Sequence, residues 1–131
     1  MVIDTSAIVA IFFHEPEATE FEECIADAAT RLMSAVTRVE LSFVLEGRAG
    51  SAGAADIARF LADTHIEIAA VTTQQADIAI EAFRRYGKGR HPARLNIGDC
   101  FSYALAKATG LPLLFKGSDF VRTDILSARR A

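Results

Sequence analysis

The spacing of apolar positions changes repeatedly along the chain, and each change marks an element. Val2-Ile3 is a short apolar run, read as a buried strand. It stops at Asp4-Thr5-Ser6, and Ala7-Ile8-Val9-Ala10 then opens a helical pattern. The turn His14-Glu15-Pro16-Glu17 precedes a second helix, with Ala18, Phe21, Ile25 and Ala28 at helical spacing. Arg31 to Ser34 predicts a second strand, and Ser34 caps a helix running from Ala35 to about Ala49. Gly47 and the Gly50-Ser51-Ala52-Gly53 stretch end that helix, and Ile57, Phe60, Leu61 and Thr64 line the next. Ile66 to Val71 is a third strand, followed by a helix striped by Ala76, Ala79, Ile80 and Phe83. From Arg84 to Asn96 the pattern dissolves into a loop. Asp99 then opens a helix that buries Phe101, Ala104, Leu105 and Ala108 and ends at Gly110. Leu111 to Phe115 is a fourth strand, Gly117 to Phe120 turns into a short helix, and Asp124-Ile125 begins a last short strand.

Strands alternating with helices imply βαβ units, and so one α/β domain whose parallel sheet is covered on both faces. A chain of 131 residues is long enough for one such domain with its own core. No apolar run reaches the length of a membrane span, and no basic flank precedes the first one. The expectation is a cytoplasmic protein without a membrane partner. Cys24 and Cys100 lie far apart among apolar neighbours, which predicts buried reduced thiols. The net charge of −3 argues against a dominant basic surface and leaves room for a local one. His14, His65 and His91 show neither metal-ligand nor triad spacing, and Ser6 has no histidine to activate it.

Four carboxylates stand apart by context. Asp4 follows the first strand, at the end of a parallel sheet where ligands bind, and Thr5 or Ser6 can cap the helix and leave Asp4 free. Glu40 has Val36, Thr37, Phe43 and Val44 as helical neighbours, and a carboxylate on such a face is costly without a partner. Arg38 and Arg48 are the candidate partners. Asp99 lies in the first turn of its helix, where negative charge suits the dipole. Asp119 follows the fourth strand, in a turn where Asp also serves local bonding. All four would face the same sheet edge. Acids gathered there suit a hard divalent cation such as Mg²⁺, which takes oxygen ligands and keeps waters. That chemistry fits phosphodiester hydrolysis.

The motifs Val2-Ile3-Asp4-Thr5-Ser6, Ser34-Ala35-Val36 leading to Val39-Glu40-Leu41, Leu95-Asn96-Ile97-Gly98-Asp99-Cys100 and Leu113 to Phe120 with Thr123-Asp124-Ile125 occur in this order over nearly the whole chain. Together they resemble the PIN-domain ribonucleases, and within them the VapC-type toxins of toxin–antitoxin pairs. The resemblance implies a three-layer α/β/α domain with a parallel sheet of four or five strands. It also implies an Mg²⁺- or Mn²⁺-dependent endoribonuclease acting on RNA, a homodimer, and a VapB-type antitoxin whose tail crosses the acidic groove. By the same resemblance Asp4, Glu40, Asp99 and Asp119 are the catalytic acids. Asp4 and Asp99 would hold the metal, with Glu40 assisting, and Thr5, Ser6, Asn96 and Asp124 would support them. One position departs from the family pattern: many PIN domains carry their fourth acid where Gly117 stands, so Asp119 or Asp124 would replace it, or the site would run on three acids and a single metal.

Arg84, Arg85, Lys88, Arg90 and Arg94 follow one another with no acid between them, and Lys116 lies beside the fourth strand. Basic groups of this kind supply sequence-independent affinity for phosphates, so these six residues are the candidate RNA-binding surface. A different class of function also accommodates the fold: a silent subunit that regulates its operon with a DNA-binding antitoxin. Retention of Asp4, Glu40 and Asp99 together weighs against it.

Overall fold

Val2 and Ile3, adjacent in the first strand, belong to two different cores, one on each face of a single sheet. The structure is a computed structural model that describes residues 1–129. Its elements run β1 (Val2–Ile3), α1 (Thr5–Phe12), α2 (Ala18–Asp27), β2 (Leu32–Ser34), α3 (Ala35–Ala49), α4 (Ser51–Asp63), β3 (Glu67–Ala69), α5 (Thr73–Tyr86), α6 (Ile97–Thr109) and β4 (Leu113–Leu114). A 3₁₀ turn follows at Phe120–Arg122.

The sheet has the order β3-β2-β1-β4 with every pairing parallel. Its central strand β1 is buried on both faces, which is why it reads as continuously apolar. One core joins Ile3 and Leu114 to Ile8, Phe21, Leu41, Leu45 and Ile57 of α1 to α4. The other joins Val2 and Leu113 to Ala79, Ala82, Tyr103 and Leu105 of α5 and α6. The result is the expected three-layer α/β/α arrangement.

Three expectations shift in detail. The loop assigned to Arg84–Asn96 starts later, because α5 continues to Tyr86 and carries Arg84 and Arg85 in its last turn. Basic residues there complement the negative end of the helix. Strand β3 shrinks to three residues and is exposed, as an edge strand without a partner on its far side. Asp124-Ile125 is not a strand. Ser127 instead makes an isolated parallel bridge to Leu113, through Leu113 N–H to the Leu126 carbonyl and Ala128 N–H to the Leu113 carbonyl, both 2.8 Å.

The fourth strand also shrinks, to Leu113–Leu114, and α5 buries Gln75, Ala79, Ala82 and Tyr86 while the expected Ile80 and Phe83 stay exposed; other local signals hold. Ser34 caps α3, its hydroxyl accepting from Val36 N–H at 3.3 Å. Gly110 ends α6 in the left-handed conformation, φ 73°, that glycine adopts without strain. Cys24 and Cys100 are free and buried, and His14 and His65 occupy turns with positive φ.

Candidate active site

The carboxyl end of β1 delivers Asp4 to the start of α1, where it is 3% exposed. Its Oδ2 accepts from Ser6 N–H at 3.1 Å and from Ser6 Oγ at 2.7 Å. Its Oδ1 accepts from Ser102 Oγ on α6 at 2.6 Å. Asp4 is therefore the N-cap of α1 itself, a correction to the expectation that Thr5 or Ser6 would cap and leave Asp4 free. Both functions fit one carboxylate because capping occupies Oδ2 while Oδ1 faces α6. Ser6 orients Asp4, as expected of one hydroxyl in this pair. Thr5 serves another acid, its Oγ1 donating to Glu40 Oε1 at 2.5 Å.

Glu40 is half-buried, and for a different reason than its helical neighbours suggested. Val39 and Phe43 beside it are 51% and 74% exposed, so α3 does not bury its own acid. The cover is α6. A Cβ placed on Gly98 would lie 2.1 Å from Glu40 Oε2, so the missing side chain is the space the carboxylate occupies. Neither arginine pairs with it: Arg38 donates to Ser42 Oγ, and the Arg48 guanidinium stacks 4.7 Å from the Phe13 ring centroid. Gly98→Ala is expected to leave stability unchanged or raise it by about 0.5–1 kcal/mol, since alanine suits a helix better and the displaced atoms end a flexible side chain. Nuclease activity should nevertheless fall, because Glu40 must leave its seat. Melting temperature and cleavage rate measured side by side check this, and a variant as active as the wild type would refute the seat.

Asp99 is the third residue of α6 and half of a capping box with the N-cap Asn96. Asp99 N–H donates to Asn96 Oδ1 at 2.9 Å, and Asn96 N–H donates to Asp99 Oδ2 at 3.0 Å. Asn96 thus supports Asp99 as expected, and the helix begins two residues before Asp99. Burial, followed by the charges of Asp4, Glu40 and Asp119, pushes the Asp99 carboxyl up to about 7 against the bond from Asn96. Burial and the charge of Asp4 push Glu40 upward too, against the Thr5 bond. The four expected acids therefore share one field, and the charges named on Asp99 are all negative.

Asp119 joins that field from an exposed position just before the 3₁₀ turn. Gly117, where many relatives of the resembled family carry an acid, has φ 101°, a conformation that side chains strain to adopt. Asp124 lies in a different setting from the one expected. It accepts from Tyr103 Oη at 2.6 Å and pairs with Lys107 Nζ at 2.8 Å, tying the C-terminal segment to α6.

The six basic residues divide. Arg84 and Arg90 line a groove of about 520 Å³ between α5 and α6, together with Phe83, Ile97 and Phe101. Arg90 stacks over Phe83 at 5.4 Å, and Arg84 lies 3.6 Å from Glu81. Lys88 and Arg94 are exposed. Arg85 turns onto Tyr86, donating to its hydroxyl at 2.8 Å. Lys116 is engaged by Glu15 and, at 3.2 Å, by Glu17. Its side chain bridges the turn after α1 to the end of β4, while its backbone N–H donates to Ser6 Oγ at 3.0 Å.

Sequence reasoning missed Gly98, Ser102 and Thr37. A faint signal existed: Gly98 and Ser102, four apart, share one face of α6 with Asp99. Ser102 and Thr37 are fully buried and their hydroxyls lie 3.0 Å apart.

Among the described residues, no three His, Cys, Asp or Glu side chains are grouped so that they could hold a metal ion together. Mg²⁺ does not require such a group, because it binds through one or two carboxylates and keeps its waters. The donor set is hard oxygen throughout and carries uncompensated negative charge, which fits Mg²⁺ or Mn²⁺.

A family model described as PIN domain matches residues 1–126. The chain belongs to the PIN-domain family. A ribonuclease VapC of Mycolicibacterium smegmatis is 51% identical over 125 residues, covering 95% of this chain and 97% of that one. Ribonuclease VapC30 of Mycobacterium tuberculosis is 50% identical over 125 residues, covering 95% of each. This PIN domain therefore sits among the VapC ribonucleases. Among solved structures, Mycobacterium tuberculosis VapC20, described as a sarcin-ricin loop cleaving toxin, superposes with a TM-score of 0.79 at 20% identity over 98% of both chains. A toxin–antitoxin complex from Klebsiella pneumoniae gives 0.71 at 17% identity, covering 99% of this chain and 98% of that one. At these identities the superpositions establish the fold.

Proposed function

We propose that this PIN domain is a metal-dependent endoribonuclease that acts as the toxin of a toxin–antitoxin pair. Its cofactor is Mg²⁺, or Mn²⁺ in its place, and its substrate is structured RNA, a tRNA or a ribosomal RNA loop. The observation that carries this reading is the convergence of Asp4, Glu40 and Asp99 from three separate elements into one negative field. The ribonuclease names of its relatives support the same reading.

When bound, the cation supplies Lewis-acid activation of a phosphoryl oxygen and a water of lowered pKa. Asp4 and Asp99 would hold it, with Glu40 assisting directly or through water. Ser6 and Thr5 keep Asp4 and Glu40 in place through the bonds described above. Lys88 and Arg94 are exposed and available to phosphates, Arg84 and Arg90 line the groove beside α6, and Arg85 and Lys116 are engaged within the chain.

Exposed Val39, Phe43 and Ile97 form an apolar area beside Glu40, which suits cover by another protein. A second copy of the chain and a VapB-type antitoxin are the partners this reading assigns. The cytoplasm is the compartment this reading assigns, and no described helix is long and apolar enough to cross a membrane.

The test is incubation of the purified protein with folded tRNA and ribosomal RNA in Mg²⁺, in Mn²⁺ and in EDTA. Discrete cuts that require a divalent metal are expected. Cleavage that persists in EDTA, or no cleavage with either metal, would reject the proposal.

A further inference from the structure

Asp4 is held by a proton-donor arrangement that reaches across the molecule, and counting its protons assigns a role to two hydroxyls outside the recognised acids. Ser102 sits on α6, 98 residues from Asp4 in sequence, and donates to Asp4 Oδ1 at 2.6 Å. Thr37, on the first turns of α3, lies 3.0 Å from Ser102 Oγ, where geometry alone permits either hydroxyl to donate. Chemistry removes the ambiguity. A serine hydroxyl has one proton, and an ionised carboxylate only accepts. Ser102 spends its proton on Asp4, so Thr37 must be the donor to Ser102. Both residues are fully buried, so water does not substitute for either bond.

A carboxylate offers about four lone-pair sites in all. On Asp4, Oδ2 receives two bonds, from Ser6 N–H and Ser6 Oγ, and Oδ1 receives one, from Ser102. One site remains, on Oδ1. Ser102 fixes the direction in which that last lone pair points.

We infer that Ser102, backed by Thr37, is a positioning pair that sets Asp4 Oδ1 as the metal-binding oxygen. This inference rests on the proposed metal site. The pair also links that oxygen to α3 and α6, the elements that carry Glu40 and Asp99, so all three acids keep their relative positions through side-chain bonds. Partners that hold a metal's ligands typically change metal affinity by about 10–100-fold when removed. Loss of Ser102 should weaken the site at the upper part of that range, and loss of Thr37 at the lower.

The test compares wild type with Ser102→Ala, Thr37→Val and Thr37→Ser. Mn²⁺ affinity is measured by titration calorimetry, alongside kcat and KM for RNA cleavage. Ser102→Ala is expected to weaken Mn²⁺ binding by ten-fold or more and to lower kcat with KM for RNA nearly unchanged. Thr37→Val, which keeps shape but loses the hydroxyl, should weaken binding in the same direction, and Thr37→Ser should restore it. If Ser102→Ala fails to fold, the Thr37 pair decides the matter alone. Equal Mn²⁺ affinity in wild type, Thr37→Val and Thr37→Ser would overturn the positioning role while leaving the metal site standing. Absence of Mn²⁺ binding by the wild type would instead overturn the metal site, and the positioning role with it.

Discussion

Asp4→Asn is expected to reduce RNA cleavage by at least about a hundredfold, because Lewis-acid stabilisation is worth several kcal/mol and each 1.36 kcal/mol is tenfold in rate. The fold should tolerate the change. The asparagine oxygen can take the Oδ2 position and keep the two bonds from Ser6, while its NH₂ faces Ser102. Ser102 then accepts from that amide and turns its own proton toward Thr37, so both buried contacts persist with their direction reversed. What is lost is the negative charge. Cleavage rates with saturating Mg²⁺, together with melting temperature and circular dichroism, check both halves. A folded Asp4→Asn protein with more than about a tenth of wild-type activity would remove Asp4 from the site.

The second large effect is on stability and has the opposite sign. Asp99 is pushed up to about 7 by burial and by the charges of Asp4, Glu40 and Asp119, from the ordinary carboxyl value of 3.8. Between those two values the native state keeps a proton that the unfolded chain has released. Stability therefore falls as pH rises from about 4 to about 7 and stays low above that range. At 1.36 kcal/mol per unit the ceiling is roughly 4 kcal/mol, and partial exposure to solvent reduces it to about 1–2 kcal/mol. Glu40, shifted in the same direction by burial and Asp4, adds to the slope.

Asp99→Asn retains an oxygen for Asn96 N–H but carries no charge, so it should melt higher than the wild type at pH 7.5. The gap should close as pH falls below about 4, where the wild-type carboxyl becomes protonated in both states. Adding Mg²⁺ should stabilise the wild type and leave Asp99→Asn nearly unchanged. Melting curves at several pH values, with and without Mg²⁺, decide it. A wild type that gains stability from pH 4 to pH 7 would contradict the crowding of acids. The expected loss of stability makes the site an example of function maintained at the expense of stability.

Much of this was legible in the order of residues. Local devices depend on neighbours, and local pattern exposes them: the apolar run of β1, Ser34 as a cap, Gly110 as a stop, and the alternation that demands a parallel sheet. Asp4, Glu40, Asp99 and Asp119 were legible as candidates as well, and the structure brings them into one negative field. The residues that hold them were harder to see. Ser102 reads as an ordinary polar residue in an otherwise apolar helix, and Thr37 as one more position on α3. Gly98 shares a helix with Asp99, but nothing local links it to Glu40, which is 58 positions earlier in the chain.

Two assignments show how packing reallocates side chains. Lys116, read as a phosphate contact, is held by Glu15 and Glu17 because the turn after α1 folds against the end of β4. Asp124, read as support for the acids, is held by Tyr103 and Lys107 because the C-terminal segment returns beside β4 and packs on α6.

By itself the sequence determined the layers, the parallel sheet and the reduced cysteines, since these follow from periodicity and short-range chemistry, and it marked four acids as candidates. Only the tertiary structure decided which hydroxyl holds which carboxylate. Thr5 went to Glu40, Ser6 and Ser102 to the two oxygens of Asp4, and Asn96 to Asp99. The physical reason is that a hydrogen bond reaches only about 3 Å, so such pairings depend on how closely α3 and α6 approach the end of β1. That approach is fixed by the buried cores and by one missing Cβ at Gly98.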